Sequence, residues 1–133
     1  MIIASLLCLF WNKAFLRYIL SAFTAAFLFV ALASVVSFIS MYIYELPTHH
    51  CPFDIIQKEY GFIGYPLYIC LFFGIFFGLL PGIFQPFKNI LSLQRTVHKL
   101  ERSWIVSSMS FMVIFVLIAT YRVVSSNLTY FSY

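Results

Sequence analysis

Three consecutive residues, His49, His50 and Cys51, have side chains that can bind a soft metal ion or haem iron. Imidazole and thiolate together suit Cu(I) or Zn(II), and either group can be an axial ligand to haem. Adjacent residues of a regular element point in different directions, so all three reach one ion only if the backbone is distorted. We expect one or two of them to bind copper or haem, with the other ligands coming from elsewhere. The alternative is a structural loop whose His residues hydrogen-bond at a membrane interface.

The segment from Cys51 to Asp54 supports a second hypothesis, thiol redox chemistry. Its sequence, Cys-Pro-Phe-Asp, follows a long apolar run and precedes another. It resembles the reactive loop of the membrane disulfide-generating oxidoreductases that pass electrons to quinone, and this resemblance implies a Cys-x-x-Cys pair in a four-helix bundle. Asp54 occupies the second cysteine position here, and Cys70 lies deep in the next apolar run. Redox activity would therefore depend on the Cys51 thiolate alone.

Patterns typical of other enzymes are missing from the chain. It contains no G-x-S-x-G, no phosphate-binding glycine loop, no H-E-x-x-H and no pair of carboxylates inside an apolar run. Cysteine and tyrosine are the only ionisable residues that we place in the middle of a span, which argues against a proton relay within this chain. We assign no catalytic residue and expect a non-enzymatic protein.

Composition places the chain in a membrane. Of its 133 residues, 63% are hydrophobic and only 9% are charged, against about 25% charged residues in a soluble domain. The net charge of +4 does not indicate nucleic-acid binding, because the cations lie beside apolar runs. In that position they set the topology and contact anionic lipid. The expected partners are the lipid bilayer and other membrane subunits.

The elements that position these residues are predicted to be helices. We expect one all-α membrane domain with spans at about 18–44, 62–87 and 104–122, preceded by a short apolar helix within residues 1–11. The loop at 45–61 should contain a short helix begun by Pro52 and ended by Gly61. The segment at 88–103 should be an amphipathic helix on the bilayer surface, with interfacial residues Lys88, Arg95, Lys99, Arg102 and Trp104.

Small residues predict where helices meet. Gly74, Gly78 and Gly82 recur at a spacing of four in the second predicted span, and glycines at this spacing let another helix approach closely in lipid. Ala22 and Ala26 form part of a small-residue stripe on the first predicted span. We call the side of the second predicted span that carries the three glycines the glycine face. It could pack against the stripe on the first span, or either surface could contact a different subunit. Because three short helices bury little against each other, we expect the protein to act in an assembly.

The basic residues predict the orientation. Lys13, Arg17, Lys88, Arg95, Lys99 and Arg102 lie on one side of the predicted spans, whereas only Lys58 and Arg122 lie on the other. The positive-inside rule then places the N-terminus and the segment at 88–103 in the cytoplasm, and the His-His-Cys loop outside. We expect a non-enzymatic subunit of a respiratory or transport complex in a bacterial-type inner membrane. Its loop would contribute to copper or haem handling; the alternatives are a thiol-redox protein and a purely structural packing subunit.

Overall fold

The structure is a computed structural model that describes residues 1–11, 13–45, 48 and 50–126, and throughout these residues its regular elements are helical. Three helices are long and apolar enough to cross a membrane: Ala14–Tyr44, Gly64–Asn89 and Leu91–Ser125. We call them the first, second and third span. The end of the bundle where the first and third spans begin is called the basic end, and the opposite end is called the loop end.

The first span begins earlier than its charge pattern predicts. An α-helix over Ala14–Ser34 continues through one π-helical turn, Val35–Ile39, into a last helical segment, Ser40–Tyr44. The predicted start at residue 18 avoided Arg17, but Arg17 lies inside the helix and is buried. The helix accommodates this cation because a carboxylate from the third span lies against it.

The second span packs along both other spans and is the most buried of the three. It consists of an α-helix over Gly64–Ile83 and a 3-10 turn over Pro86–Asn89. Pro81 lies inside the helix and has no N–H, so the preceding turn loses a backbone hydrogen bond. The Ser21 hydroxyl of the first span donates to two carbonyls of that turn, Leu79 O at 3.2 Å and Gly78 O at 3.4 Å.

The third span corrects the prediction of a separate surface helix at 88–103. Leu91–Ser125 is one continuous helix of 35 residues, so most of the basic segment and the apolar run after it belong to the same element. At 1.5 Å per residue it is about 52 Å long, whereas a hydrocarbon core is about 30 Å thick. Hydropathy averaged along the sequence changes between the basic segment and the apolar run, which suggests a boundary between two helices. The backbone of the helix continues through this point without interruption.

Three glycines of the second span, Gly74, Gly78 and Gly82, face the other two spans of the same chain. A Cβ on Gly74 would lie 2.8 Å from Met112 Cε, and a Cβ on Gly78 would lie 2.8 Å from Thr24 Cγ2 and 2.9 Å from Ser108 Oγ. Ser108 Oγ also donates to the Gly74 carbonyl at 2.6 Å. The glycine face is therefore filled within the chain, which was one of the two arrangements that the sequence left open.

Gly82 has the closest neighbour, since a Cβ there would lie 2.6 Å from Ser21 Cβ. Ala22 and Ala26, by contrast, are exposed and do not meet the glycine face. In the segment Ala14–Ser34 of the first span, the buried positions are instead Arg17, Leu20, Thr24 and Ala31. The prediction that Ala22 and Ala26 contact a helix therefore concerns a helix outside this chain.

A short N-terminal helix, Ile2–Phe10, fills the space between the first and third spans near the basic end. Its buried Cys8 packs with Leu20 of the first span and Ile105 of the third span. At the loop end, the predicted short helix after Pro52 is replaced by two separate 3-10 turns, Asp54–Ile56 and Lys58–Tyr60. Gly61 ends the second turn in the left-handed conformation that glycine allows.

Candidate functional site

The His-His-Cys loop lies at the loop end, and the structure describes part of it. His49 is outside the described residues, His50 is exposed and Cys51 is half-buried. Within the described part of the chain, no group of three His, Cys, Asp or Glu side chains is close enough to hold a metal ion. A metal or haem site here would need ligands from His49 or from another protein.

The backbone around Cys51 is held by two tyrosines from the spans. The Tyr44 hydroxyl donates to the Cys51 carbonyl, and the Tyr68 hydroxyl donates to the Pro52 carbonyl at 2.5 Å. Ile55, in the next turn, is fully buried and lies where a Cβ on Gly64 would touch its carbonyl at 2.9 Å. The loop is therefore attached to the ends of the first and second spans at a defined position.

The basic end contains a buried ion cluster that the sequence did not predict. The Arg17 guanidinium contacts one oxygen of the Glu101 carboxylate, and Lys88 Nζ lies 2.6 Å from the other. The side chain of Glu101 is 3% exposed, that of Arg17 7% and that of Lys88 14%. We call Arg17, Lys88 and Glu101 the ion cluster. It links the first span, the 3-10 turn that ends the second span, and the third span.

The ion cluster includes two cations that the sequence analysis placed at the membrane boundary. Lys88 is predicted to be interfacial, and its ammonium is hydrogen-bonded to Glu101. Arg17 was predicted to lie in the cytoplasmic flank, but it is buried in the helix. Glu101, the single acid among the basic residues of its segment, was a usable signal, because an acid kept in such a segment often has a specific partner.

Two open clefts lie beside the ion cluster and share Arg17 and His98. One, of about 410 Å³, has an apolar side formed by Cys8, Leu9 and Ile105, and is lined further by Arg17, His98, Lys99, Glu101 and Arg102. The other, of about 550 Å³, is lined by Arg17, Lys88, Leu91, Gln94, Arg95 and His98. Three of the cations predicted to be interfacial, Arg95, Lys99 and Arg102, are exposed around these clefts.

The remaining groups of the basic end are a histidine, a thiol and an indole. His98 is exposed, and its Nδ1 lies 3.9 Å from Glu101. Burial raises the pKa of the Cys8 thiol; of the neighbouring charges, Arg17 lowers this pKa and Glu101 raises it. Cys8 therefore remains a neutral thiol at pH 7. Trp104, which is predicted to be interfacial, packs against Phe84 of the second span, with ring centroids 5.2 Å apart.

The chemistry of the described residues is that of charge compensation and backbone hydrogen bonding. The buried hydroxyls of Thr24 and Ser40 donate to carbonyls four residues earlier in their own helix. The Ser108 hydroxyl donates across to the second span, and the buried acid is bonded to cations from other segments. Bonds of this second kind hold helices together in an apolar solvent. No protein-family model, curated protein or solved structure matches the chain.

Proposed function

We propose that the protein is a non-enzymatic subunit of a larger membrane complex, of respiratory or transport type. The observation that supports this proposal is a set of exposed small residues along the first span, Ala22 and Ala26 on one side of the exposed Phe29 and Ala33 and Ser37 on the other. We call it the small-residue stripe. Because the glycines of the second span are already covered within the chain, this stripe is the part of the bundle best suited to a close helix contact.

Lipid chains and a protein helix would gain different amounts of packing from contact with the stripe. Lipid chains cover any apolar surface, and they gain little from a groove of small side chains. A helix gains close backbone approach and dispersion contacts there, which drive helix association in lipid. The proposed partner is therefore a transmembrane helix of another subunit.

The test is a pair of matched double variants. Ala22→Leu/Ala26→Leu fills the stripe, whereas Ser110→Leu/Thr120→Leu places two leucines at exposed positions of the third span. Each variant is expressed in the native host with an affinity tag, extracted in mild detergent and analysed by quantitative mass spectrometry. We expect the first variant to lose co-purifying membrane subunits about tenfold and the second to retain them, since packing at a close contact tolerates little added volume. Equal recovery of the same partners in both variants would refute the proposal.

We also propose that the basic end faces the cytoplasm of a bacterial-type inner membrane. Six of the eight cations and only one of the four acids belong to this end. Short segments rich in Lys and Arg are retained on the cytoplasmic side during insertion. The loop end, with the His-His-Cys loop, is then extracytoplasmic.

A second candidate function is copper or haem handling at His49, His50 and Cys51. The supporting observation is that Tyr44 and Tyr68 hold the carbonyls of Cys51 and Pro52, which keeps the thiol at a defined place at the loop end. The test is metal and haem analysis of the purified complex after His49→Ala/His50→Ala, with Thr48→Ala as the control. Unchanged metal, haem and complex activity in the double variant would exclude ligation by these residues.

The thiol-redox alternative uses Cys51 alone and is tested separately. Cys51 is half-buried, whereas Cys8 and Cys70 are buried. A redox role requires that Cys51→Ser change the disulfide status of extracytoplasmic proteins, with Cys70→Ser as the control. If Cys51→Ser has no effect on it, the non-enzymatic proposal is the one that remains.

A further inference from the structure

The ion cluster contains more positive than negative charge. Arg17 and Lys88 both contact Glu101, so two cations share one carboxylate at a nearly water-free position. The other acids of the chain, Glu45, Asp54 and Glu59, lie between the first and second spans, at the loop end. Together the three side chains of the ion cluster carry a net positive charge, which would attract an anion from outside the chain.

The larger cleft has the charge and the donors that such an anion needs. Of the six residues that line its space of about 550 Å³, three are cations, Arg17, Lys88 and Arg95, and none is an acid. Gln94 and His98 add further hydrogen-bonding groups. A guanidinium binds two oxygens of a phosphate in one plane, and an ammonium adds a point charge. A phosphate group matches this set of donors.

We expect the cleft to lie at the depth of lipid head groups, because cations are costly within the hydrocarbon. The third span is about 52 Å long and exceeds a hydrocarbon core of about 30 Å, so it can cross the core while its first turns, which carry Arg95, Lys99 and Arg102, lie in the head-group layer. Lys88 belongs to the last turn of the second span, and Arg17 to the first turn of the first span. Ile90 and Leu91, which begin the third span, are 47% and 90% exposed and provide apolar contacts beside the cleft.

We propose that this cleft binds the phosphate group of an anionic phospholipid. Arg17 and Lys88 form the inner part of the site, and Glu101 is a positioning residue that keeps both cations extended toward it. Arg95 forms the outer part, and the acyl chains lie against the neighbouring apolar residues of the spans. The proposal goes beyond the subunit role and requires only that the protein is in a bilayer.

The test measures lipid binding to the purified full chain through the fluorescence of Trp104. In a Trp11→Phe background, which leaves Trp104 as the single tryptophan, brominated phosphatidylglycerol is titrated in neutral detergent, and brominated phosphatidylcholine serves as the zwitterionic reference. Arg95→Gln removes an exposed cation of the cleft. Lys58→Gln removes the same charge at the loop end.

We expect phosphatidylglycerol to quench Trp104 saturably and at lower concentration than phosphatidylcholine. Arg95→Gln should weaken this binding about fivefold, because a cation at an anionic surface contributes on the order of 1 kcal/mol. Lys58→Gln should leave it unchanged, and Arg95→Lys should keep most of the affinity. Equal quenching by the two lipids, or equal losses in Arg95→Gln and Lys58→Gln, would overturn the proposal.

A second arm separates a lipid from a soluble ligand. Inorganic phosphate is titrated against the same protein, with thermal unfolding as the readout and chloride at matched ionic strength as the control. We expect no specific stabilisation, because a free phosphate gains none of the apolar contacts. If inorganic phosphate stabilises the protein saturably, and Arg95→Gln abolishes this effect, the cleft is a site for a soluble anion and the lipid assignment is wrong.

Discussion

At the scale of single residues, the most consequential side chain is Glu101. Its carboxylate is 3% exposed and bonded to cations from two other segments of the chain. A buried carboxylate is stable only while its cationic partners are present, and the buried cations are stable only while the carboxylate is present. One acid therefore determines how the basic end is packed, although the segment around it looks like an ordinary solvated helix face.

Removing the charge of Glu101 should destabilise the fold. In Glu101→Gln, two buried cations are left without a carboxylate. Removing one partner of a buried ion pair lowers the free energy of unfolding by about 3 kcal/mol. We expect a lower midpoint of thermal unfolding in mild detergent, measured by near-UV circular dichroism. Glu59→Gln changes an exposed acid of the loop and should change the stability by less than about 0.5 kcal/mol. Similar midpoints for the two variants would contradict this role of Glu101.

At the scale of elements, the second span organises the bundle because its small residues face both other spans. Close approach brings serine and threonine hydroxyls within reach of backbone carbonyls, as the Ser108–Gly74 bond of 2.6 Å shows. Helices in lipid associate through such packing and hydrogen bonds, since no hydrophobic driving force acts between them there. In the turn before Pro81, the Gly78 and Leu79 carbonyls likewise accept hydrogen bonds from the Ser21 hydroxyl of the first span.

The contact between Gly78 and Thr24 can be tested by rescue. A Cβ at residue 78 would lie 2.8 Å from Thr24 Cγ2, so Gly78→Ala should cost about 1–3 kcal/mol through overpacking. Thr24→Ala removes the atoms that Cβ would meet on the first span, and the Gly78→Ala/Thr24→Ala double variant should recover part of the loss. The measurement is reversible unfolding in mixed micelles. Strictly additive losses would show that these residues do not share a contact.

The attachment of the loop to the first and second spans should depend on burial of the Ile55 side chain. This side chain is fully buried, whereas its neighbour Ile56 is partly exposed. Ile55→Ala leaves a cavity and should detach the loop, so that trypsin cleaves after the exposed Lys58 about tenfold faster. Ile56→Ala is the matched control and should be cleaved at nearly the wild-type rate. If the two variants are cleaved equally fast, burial of Ile55 does not hold the loop.

At the scale of the whole molecule, charge is distributed asymmetrically between the two ends. The basic end carries six cations and one acid, and the loop end carries two cations and three acids. This asymmetry underlies both the proposed orientation and the proposed lipid site, because anionic lipids give the cytoplasmic leaflet a negative surface potential. The exposed apolar side chains between the ends are those expected of a lipid-facing surface.

The orientation can be tested with an impermeant maleimide. In a Cys8→Ser/Cys70→Ser background, Cys51 is the single thiol, and we expect it to react in intact spheroplasts. Adding Lys99→Cys to a background that also contains Cys51→Ser places a single thiol at the basic end, which should react only in inverted vesicles. The reverse pattern for both thiols would show that the loop end is cytoplasmic, contrary to the proposed topology.

The sequence alone determined the class of molecule, the number of helices able to span a membrane and the glycine face. These properties are local: hydropathy summed over a window identifies a span, and a spacing of four places Gly74, Gly78 and Gly82 on one side of a helix. The continuity of the third span could not be predicted, because its change in hydropathy resembles a boundary although no Gly or Pro interrupts its backbone.

Only the tertiary structure decided which charges are buried together and which small residues are covered. Arg17, Lys88 and Glu101 lie far apart in the sequence, and no local pattern indicates that two cations and one carboxylate meet between helices. Likewise, Ala22 and Ala26 look as suitable for packing as Ser21 and Thr24, but the rotation of the first span turns only the latter toward the glycines. Contacts of this kind depend on how helices are placed against each other, which is a property of the whole bundle.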